Sequence, residues 1–480
     1  WGGGERESQG VEGPRRSIAR PAKLARARVR TILVAPALLV ACLAGSARAA
    51  IGGSFVGGAA FGLGDKIGAG GRMSEEVHIS ASAEVRAMPH MGGGRGVFAT
   101  RDIKAGEVIF SEAPLVPQAP PRSEEEAQEE LHMQLTRRVL QAPTADRSRL
   151  VAEMVTLYPR KLDEMSPEIL EVAKGKYAAD VASLLAAAGE AGTEDLPGEA
   201  DVLQMLLQVV FNAFEGGLYI KKAMLNHCCR PNCITFQAGE RVRSDGNTVS
   251  TGKSEVVATQ AIAAGTEVTI SYLVPVEQSH GTRSRKWEAQ HLCALAPSPW
   301  PAEMEQFNVP AEGPFDQEGA HEDLETIEDD LDALDDQLNF EQMRPAEAIE
   351  LLANLPIKEL LHPRHLTACR VHNLIVRCAH LLTPKKKKKE PTPEALILVL
   401  RSSLEVRETM LLGWAGAAGK DHCEIARVQC DIHAALDCLA NNHKEALEEA
   451  FPEKFGTWQK SSKAEYAARK EYLRISKLYD

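Results

Sequence analysis

The sequence predicts an α+β domain followed by an all-α domain. Short apolar runs with strand character, separated by glycine turns, occur over residues 77–117 and again over residues 233–273. Between them, residues 123–211 are rich in Ala, Leu and Glu, and their apolar side chains recur at three- and four-residue spacing, which is typical of helices. We therefore predict one domain over residues 77–292, in which two β-modules are joined by a helical insert.

Two segments of these β-modules resemble each other. Residues 99–108 (Ala-Thr-Arg-Asp-Ile-Lys-Ala-Gly-Glu-Val) align with residues 258–268 (Ala-Thr-Gln-Ala-Ile-Ala-Ala-Gly-Thr-Glu-Val) when one inserted residue is allowed. Each segment predicts a strand, a turn with glycine (Gly106, Gly265) where φ is positive, and a second strand. Hairpins often look alike, but the likeness favours one domain for both modules.

The C-terminal part predicts an α-helical domain over residues 345–480. Apolar periodicity is clear in residues 366–382, 394–412, 422–439 and 464–478, with short connections between them. The pattern suggests stacked helix pairs resembling a helical repeat, although no fixed period is evident. The run Lys385 to Lys389 falls in a loop, for which a solvated loop and a nuclear-import or acidic-partner patch are both open interpretations.

An acidic segment separates the two domains, and residues 301–344 predict a linker that is poorly ordered in part. Residues 301–340 contain 14 Asp and Glu and no Lys or Arg, while the whole chain carries a net charge of −12. The rest of the chain is therefore close to neutral, which argues against direct binding of nucleic acid. The ten cysteines are irregularly spaced and predict free thiols in a reducing compartment, the cytoplasm or the nucleus.

Residues 1–72 are left out of the fold prediction. A basic stretch (residues 15–30), an apolar run (residues 31–45) and Ser46-Ala47-Arg48-Ala49 follow one another in the order of a signal peptide. The apolar run is shorter than the roughly 20 residues of a membrane span, so no membrane segment is expected in the mature protein. Either this is a secretory or plastid leader, or the native protein begins at Met73 and the preceding residues are an untranslated artefact. We favour the second interpretation because the cysteines suit a reduced interior.

Three separated segments suggest a ligand site. Residues 92–99 (Gly-Gly-Gly-Arg-Gly-Val-Phe-Ala) form a glycine-rich turn in which the backbone can approach a ligand closely. Residues 225–233 (Leu-Asn-His-Cys-Cys-Arg-Pro-Asn-Cys) place hydrogen-bonding Asn and His side chains beside a turn. Residues 267–272 (Glu-Val-Thr-Ile-Ser-Tyr) form an alternating strand that ends in tyrosine. Each segment alone has an ordinary structural explanation.

Together and in this order, the three segments resemble the SET-domain protein lysine methyltransferases. The family's glycine turn, Asn-His-Ser-Cys-x-Pro-Asn segment and strand-end tyrosine correspond to residues 94–96, residues 226–232 and Tyr272. Residues 212–219 look most like the SET-and-MYND branch, and residues 419–426 are similar to its helical-repeat tail. The resemblance implies an α+β fold of SET-type β-modules with a helical insert, followed by a helical-repeat-like domain.

The resemblance also implies a function, the transfer of a methyl group from S-adenosylmethionine to a protein lysine. Residues implied to bind the cofactor are Gly94, Arg95, Gly96, Asn226, His227 and Tyr272. Tyr272 is further implied as the catalytic residue, and Phe214 and Tyr219 as the aromatic walls of the substrate channel. The partners expected are a protein with an accessible lysine and proteins that bind the helical tail.

The chemistry of methyl transfer agrees with such a site. The sulfonium leaving group departs neutral, so the reaction needs no metal but does need in-line alignment, which contributes about 7–11 kcal/mol in favourable cases. The lysine amine must also lose its proton, although its ordinary pKa is about 10.4. An apolar, aromatic channel next to a positive sulfonium favours the neutral amine.

The sequence departs from the family pattern at its zinc sites. No cysteine lies between Cys42 and Cys228, so a zinc-binding MYND module is not expected. The zinc site that relatives build after the tyrosine strand is reduced to Cys293, with Trp287 or His291 as substitute packing groups. We expect no zinc, although Cys229, Cys233, His291 and Cys293 could supply four ligands. Two alternatives to the enzyme stay open, a catalytically inactive SET scaffold and a helical-repeat adaptor.

Overall fold

The computed structural model describes most of the chain from residue 78 onward. The described residues are 78–88, 94–119, 129–190, 197–237, 241–242, 248–249, 251–273, 277–292, 295, 297, 299–306, 317–339, 341–382, 391–413, 421–455 and 458–479. The leader interpretation, the lysine run at 385–389 and Cys293 lie outside them. Within this part of the chain, no helix has the length and apolar character needed to cross a membrane.

The central sheet joins the three segments that the sequence analysis singled out. Its strands are β1 (Ala83–Met88), β2 (Gly94–Ala99), β7 (Asn226–His227) and β12 (Glu267–Ile270), in the order β1-β2-β12-β7. Strand β12 is antiparallel to β2, with Val268 opposite Val97. It is parallel to β7, with Thr269 opposite Asn226. The glycine-rich strand, the Asn-His strand and the tyrosine strand are therefore neighbours in one sheet.

Smaller sheets flank the central one. They contain β3 (Val108–Glu112), β4 (Val116–Pro117), β5 (Ala213–Phe214), β6 (Gly217–Leu218), β8 (Cys233–Phe236), β9 (Arg241–Val242), β10 (Thr248–Val249) and β11 (Ser254–Ala258). Strand β11 lies between β3 and β8, and every residue of β11 is buried. The run Glu255-Val256-Val257 is therefore enclosed on both faces, as expected for a strand in the core.

The two similar segments pair with each other. Ile103 and Ile262 exchange two backbone hydrogen bonds, of 2.8 and 2.9 Å. The turn glycines have φ values of +81° at Gly106 and +82° at Gly265, which confirms the predicted positive φ. The internal likeness therefore reflects two β-modules that face each other across one interface.

The described residues of the helical insert form four α-helices. They are α1 (Leu131–Leu140), α2 (Thr144–Met154), α3 (Pro167–Glu190) and α4 (Glu199–Asn212). Nine of the 14 residues of α4 are buried, so this helix is enclosed on nearly all sides and packs against α1, α2 and α3. Its C-terminal end leads directly into β5, which brings Phe214 to the site described below. The α+β architecture with a helical insert is confirmed.

A helical array forms the C-terminal part. After α5 (His280–His291) and α6 (Gln317–Asn339) come α7 (Pro345–Ala353), α8 (Ile357–Leu360), α9 (Leu366–Leu382), α10 (Pro393–Gly413), α11 (Cys423–Asn442), α12 (Lys444–Ala450), α13 (Pro452–Phe455) and α14 (Trp458–Ser476). Helix α9 packs on α10, α10 on α11 and α11 on α14. The predicted helical domain is confirmed. A side chain at Gly106 would collide with the backbone carbonyl of Leu478, so the end of the array contacts the β-domain.

The acidic segment is not a linker where α6 forms, and this part of the domain prediction is wrong. Its apolar residues at 324, 327, 331, 334 and 338 recur at spacings of three and four and are buried against α7 and α9. Its acidic face is neutralised by neighbouring cations, since Asp332 forms ion pairs with Lys286 at 2.8 Å and Arg370 at 2.5 Å. Burial of one apolar face thus outweighs the high acidic content that predicted disorder.

Glu328 on α6 connects three parts of the chain. Its carboxylate is fully buried and accepts hydrogen bonds from the backbone N–H and hydroxyl of Ser279, both at 2.7 Å, and from the Thr367 hydroxyl. We expect Glu328→Ala to lower the free energy of unfolding by about 3 kcal/mol, because three buried donors lose their acceptor. Urea unfolding measures the change. Glu325→Ala removes an exposed carboxylate from the same helix and should cost less than about 0.5 kcal/mol; equal losses in the two variants would contradict the prediction.

Candidate active site

Asn226 forms the centre of the site because it joins the three predicted segments. Its side-chain amide donates to the backbone carbonyl of Arg95 at 2.9 Å and to Glu267 Oε1 at 2.7 Å. These contacts follow from the strand order, since β12 lies between β2 and β7. A Cβ atom built on Gly96 would lie 2.6 Å from Glu267 Oε1 and 3.0 Å from Asn226 Nδ2. Only glycine fits this junction without displacing those groups.

His227 is held as a neutral imidazole. Its Nδ1 atom accepts a hydrogen bond of 3.0 Å from the backbone N–H of Tyr272. Burial, with smaller contributions from His291 and Arg283, lowers its pKa to about 4. A neutral ring that accepts at Nδ1 carries its proton on Nε2, which lies 3.3 Å from Cys229 Sγ. The histidine therefore fixes the backbone at the strand end and adds no charge.

Tyr272 projects into the same space. Its ring meets Phe214 edge-on, with 5.6 Å between ring centres, and its hydroxyl donates to the backbone carbonyl of Leu225. Burial, followed by the nearby Glu267 carboxylate, raises the pKa of the phenol well above its ordinary value. The hydroxyl is therefore protonated at any physiological pH, and it can donate or accept a hydrogen bond but not act as an anion.

Helix α5 covers the open side of these residues with aromatic rings. Trp287 stacks on Tyr272 and His227 at ring-centre distances of 6.0 and 4.8 Å, and His291 lies 5.7 Å from Tyr272. Both residues thus pack against the site, as the sequence suggested for a chain without the family's zinc. Trp287 Nε1 and His291 Nε2 are buried and have no hydrogen-bond partner among the described residues. Such unpaired polar atoms can bind a polar ligand.

A SET-domain family model matches residues 94–273. The chain contains a SET domain. The match begins at the first residue of β2 and ends one residue after Tyr272, so it spans all three segments of the site. A search of curated proteins finds no match to the chain.

The SET domain brings most of the predicted site residues together. Gly96, Asn226, His227, Phe214 and Tyr272 lie close together, joined by the contacts given above. Their roles as ligands and catalyst remain predictions. Glu267 was not predicted as a site residue, although the strand that carries it was predicted to contribute to the site. Side chains alternate between the two faces of β12, and Val268 and Ile270 are buried on one face. Only this alternation could have indicated that Glu267 points to the face that carries the site.

The remaining predicted residues are placed differently. The guanidinium of Arg95 donates to the backbone carbonyl of Thr156 in the helical insert, so Arg95 takes part in the junction only through its own carbonyl. Gly94 lies at the start of β2, opposite Met88. Tyr219 is buried, and its ring packs against the ammonium group of Lys222.

Lys222 is a buried cation that the sequence did not indicate. Only 3% of its surface is exposed, and its ammonium lies 4.5 Å from the centre of the Phe214 ring and 5.0 Å from that of Tyr219. Its Nζ atom also donates to Ser254 Oγ at 3.4 Å. The two rings predicted to receive a substrate lysine therefore hold a lysine of the chain itself. A lysine inside a Lys-Lys pair is normally exposed, so no local signal predicts its burial.

The burial of Lys222 predicts a pH-dependent cost in stability. Burial lowers its pKa from 10.5 to about 8, so the charged form is disfavoured in the folded state. We expect Lys222→Met to raise the free energy of unfolding by about 2 kcal/mol at pH 7. Below pH 8 the lysine is protonated in both the folded and the unfolded state, and the gain in stability is full. Between pH 8 and pH 10.5 only the unfolded chain keeps the proton, so the gain shrinks as the pH rises. Above pH 10.5 the gain is absent.

Urea unfolding of both proteins at pH 7 and pH 10 measures this effect. Lys104→Met, at an exposed position in the β-domain, is the matched control and should show no comparable gain at either pH. A Lys222→Met protein that is less stable than the wild type at pH 7 would contradict the prediction.

The described residues contain no group of three or more His, Cys, Asp or Glu side chains arranged to hold a metal ion. Cys229 and Cys233 are buried, and burial raises the pKa of both thiols, so neither is a ready thiolate ligand. The alternative zinc set also needs Cys293, which lies outside the described residues. Beside Cys229, the buried guanidinium of Arg283 forms an ion pair with Glu305.

Proposed function

We propose that this SET domain transfers a methyl group from S-adenosylmethionine to a lysine of a protein substrate. The observation that carries the proposal is the junction of Gly96, Asn226 and Glu267 beside Tyr272. It combines a strand backbone without a side chain, directed amide hydrogen bonds and a carboxylate next to an aromatic wall. The SET-domain match supports the same reaction class.

The residues present fit this cofactor. Gly96 has no side chain, so the Glu267 carboxylate and the Asn226 amide pack directly against its backbone, and Glu267 would supply negative charge next to a bound cationic cofactor. Trp287 Nε1 and His291 Nε2 offer donors or acceptors that have no other partner in the described part of the chain. Gly96, Asn226, His227 and the ring of Tyr272 would hold the cofactor, whose sulfonium supplies an activated methyl group when bound.

The chain's own residues favour the neutral amine that the reaction needs. Phe214, Tyr272 and Trp287 form a largely apolar wall, and desolvation there lowers the pKa of an incoming lysine. Tyr272 keeps its proton, so its hydroxyl can orient the amine nitrogen by a hydrogen bond without attracting the ammonium form as a phenolate would. Positioning of this kind is the main contribution that the protein makes to a displacement reaction.

The finer assignments are part of the proposal. We place the chain nearest the SET-and-MYND branch, without its zinc module, and we assign the helical array to the binding of protein partners. All eight cysteines in the described residues are free thiols, which supports a reducing compartment, the cytoplasm or the nucleus.

Two measurements on the full chain test the proposal. Calorimetry should detect binding of S-adenosylmethionine, and incubation with methyl-labelled cofactor and a cell lysate should label lysine residues of protein, located by mass spectrometry. Cofactor binding without methyl transfer to any protein would favour the inactive scaffold. Absence of both, with partners captured by the helical array, would favour the adaptor.

A further inference from the structure

A turn beside the site is held rigidly by side chains of the SET domain. The turn follows α2, and four alternate backbone carbonyls, those of residues 154, 156, 158 and 160, each accept a side-chain hydrogen bond. Three of the donors, Gln208, Asn212 and Gln204, lie on α4, and the fourth is Arg95 of the glycine-rich strand. The backbone of the turn is thus fixed to both the insert and the sheet that carries the site.

The same turn presents apolar side chains to solvent. Val151 is 42% exposed, Val155 is 53% exposed and Tyr158 is 41% exposed. Their spacing of four and three residues places Val151 and Val155 on one side of α2 and its extension, with Tyr158 following in the turn. We call these three residues the insert patch. Side chains that are apolar, clustered and held on a fixed backbone are typical of a binding surface.

A row of rings connects the insert patch to the site. Tyr158 contacts Phe211 with 5.6 Å between ring centres, and Phe211 stacks on His291 at 6.2 Å. His291 in turn lies 5.7 Å from Tyr272. The patch is therefore three ring contacts away from the proposed catalytic tyrosine. An extended polypeptide advances about 3.3 Å per residue, so a chain with its lysine at Tyr272 reaches Tyr158, the nearest residue of the patch, within about five residues.

We propose that the insert patch binds an apolar side chain of the protein substrate, within about five residues of the methylated lysine. This inference rests on the proposed function and adds a sequence preference to it. The size of the patch favours this occupant. Three side chains are far too few for a stable interface between two copies of the chain, which requires about 800 Å² from each partner. They match one aliphatic or aromatic side chain of a segment that already enters the site.

The test uses an oriented peptide library with one central lysine, varied flanking residues and methyl-labelled S-adenosylmethionine. The wild-type protein should prefer apolar residues at one or two positions within about five residues of the lysine. The double variant Val151→Ser/Val155→Ser should lose this preference by roughly tenfold, the effect of losing contact with one apolar side chain. Its affinity for S-adenosylmethionine, measured by calorimetry, should be unchanged.

Val172→Ser is the matched control, since Val172 is 56% exposed on α3 of the same insert but lies outside the patch. It should keep the wild-type preference. An unchanged preference in the double variant, an equal loss in the control or no apolar preference in the wild type would each overturn the inference while leaving methyl transfer intact. A wild-type protein that methylates no peptide and no protein overturns the proposed function itself.

Discussion

Replacing Tyr272 by phenylalanine is expected to reduce the rate of methyl transfer by a factor of about 100 or more while the affinity for S-adenosylmethionine changes by less than threefold. The substitution removes only the hydroxyl. The ring contacts with Phe214, Trp287 and His291 persist because phenylalanine has the same shape. The Tyr272 hydroxyl keeps its proton because its pKa is raised, and its hydrogen bond to the Leu225 carbonyl fixes its orientation. Loss of this hydroxyl therefore removes the group that aligns the amine.

Single-turnover labelling measures the rate, and calorimetry measures the affinity. Tyr177→Phe is the matched control, because Tyr177 is a second tyrosine whose pKa is raised by burial and it lies on α3 of the insert. It should retain the wild-type rate. If Tyr272→Phe kept more than a third of that rate, the phenol would not be the catalytic group, whatever the affinity for the cofactor.

Gly96→Ala is expected to weaken binding of S-adenosylmethionine by about 100-fold, equivalent to about 2.7 kcal/mol. The new methyl group would fall within 3.0 Å of Glu267 Oε1, Met88 Sδ and Asn226 Nδ2. All three are ends of side chains, so they can move and the fold can survive. Their displacement disturbs the hydrogen bond between Asn226 and Glu267, and with it the groups that we propose contact the cofactor.

Gly175→Ala provides the control for adding a methyl group to a glycine of this domain. Apart from the neighbouring backbone of its own helix, no atom lies within 4 Å of a Cβ atom built at Gly175 on helix α3. The control should bind the cofactor normally and unfold at slightly higher urea concentration, because alanine favours a helix over glycine by about 1 kcal/mol. Normal cofactor affinity in Gly96→Ala would show that the junction with Asn226 does not bind the ligand.

Local patterns predicted much of the fold. The apolar spacing of residues 366–382 coincides with helix α9, and the turn glycines Gly106 and Gly265 have the positive φ that their sequences require. The same reasoning failed for residues 317–339. There the composition suggested a linker that is poorly ordered in part, but the buried row that includes Leu324 and Leu331 at helical spacing makes α6 part of the core. Composition averages over a segment, whereas packing depends on which face carries the apolar residues.

The meeting of the three predicted segments could be inferred from the sequence, but the side-chain contacts between them could not. The order of the glycine turn, the Asn-His pair and the tyrosine pointed to one pocket, and the structure joins Gly96, Asn226 and Tyr272 there. The aromatic pair Phe214 and Tyr219 was expected to enclose a substrate lysine, yet it encloses Lys222. A charged side chain beside another lysine gives no sign that it will be buried between two rings.

The sequence by itself determined which residue types stand at the site and which segments form strands and helices, because these depend on neighbours a few positions away. Only the tertiary structure decided that Asn226 hydrogen-bonds to a backbone carbonyl 131 residues away and to Glu267, 41 residues away. Those contacts arise from the parallel pairing of β7 with β12 and the antiparallel pairing of β12 with β2. Which strands pair with each other depends on packing across the whole domain. The spacing of residues within one strand therefore cannot predict it.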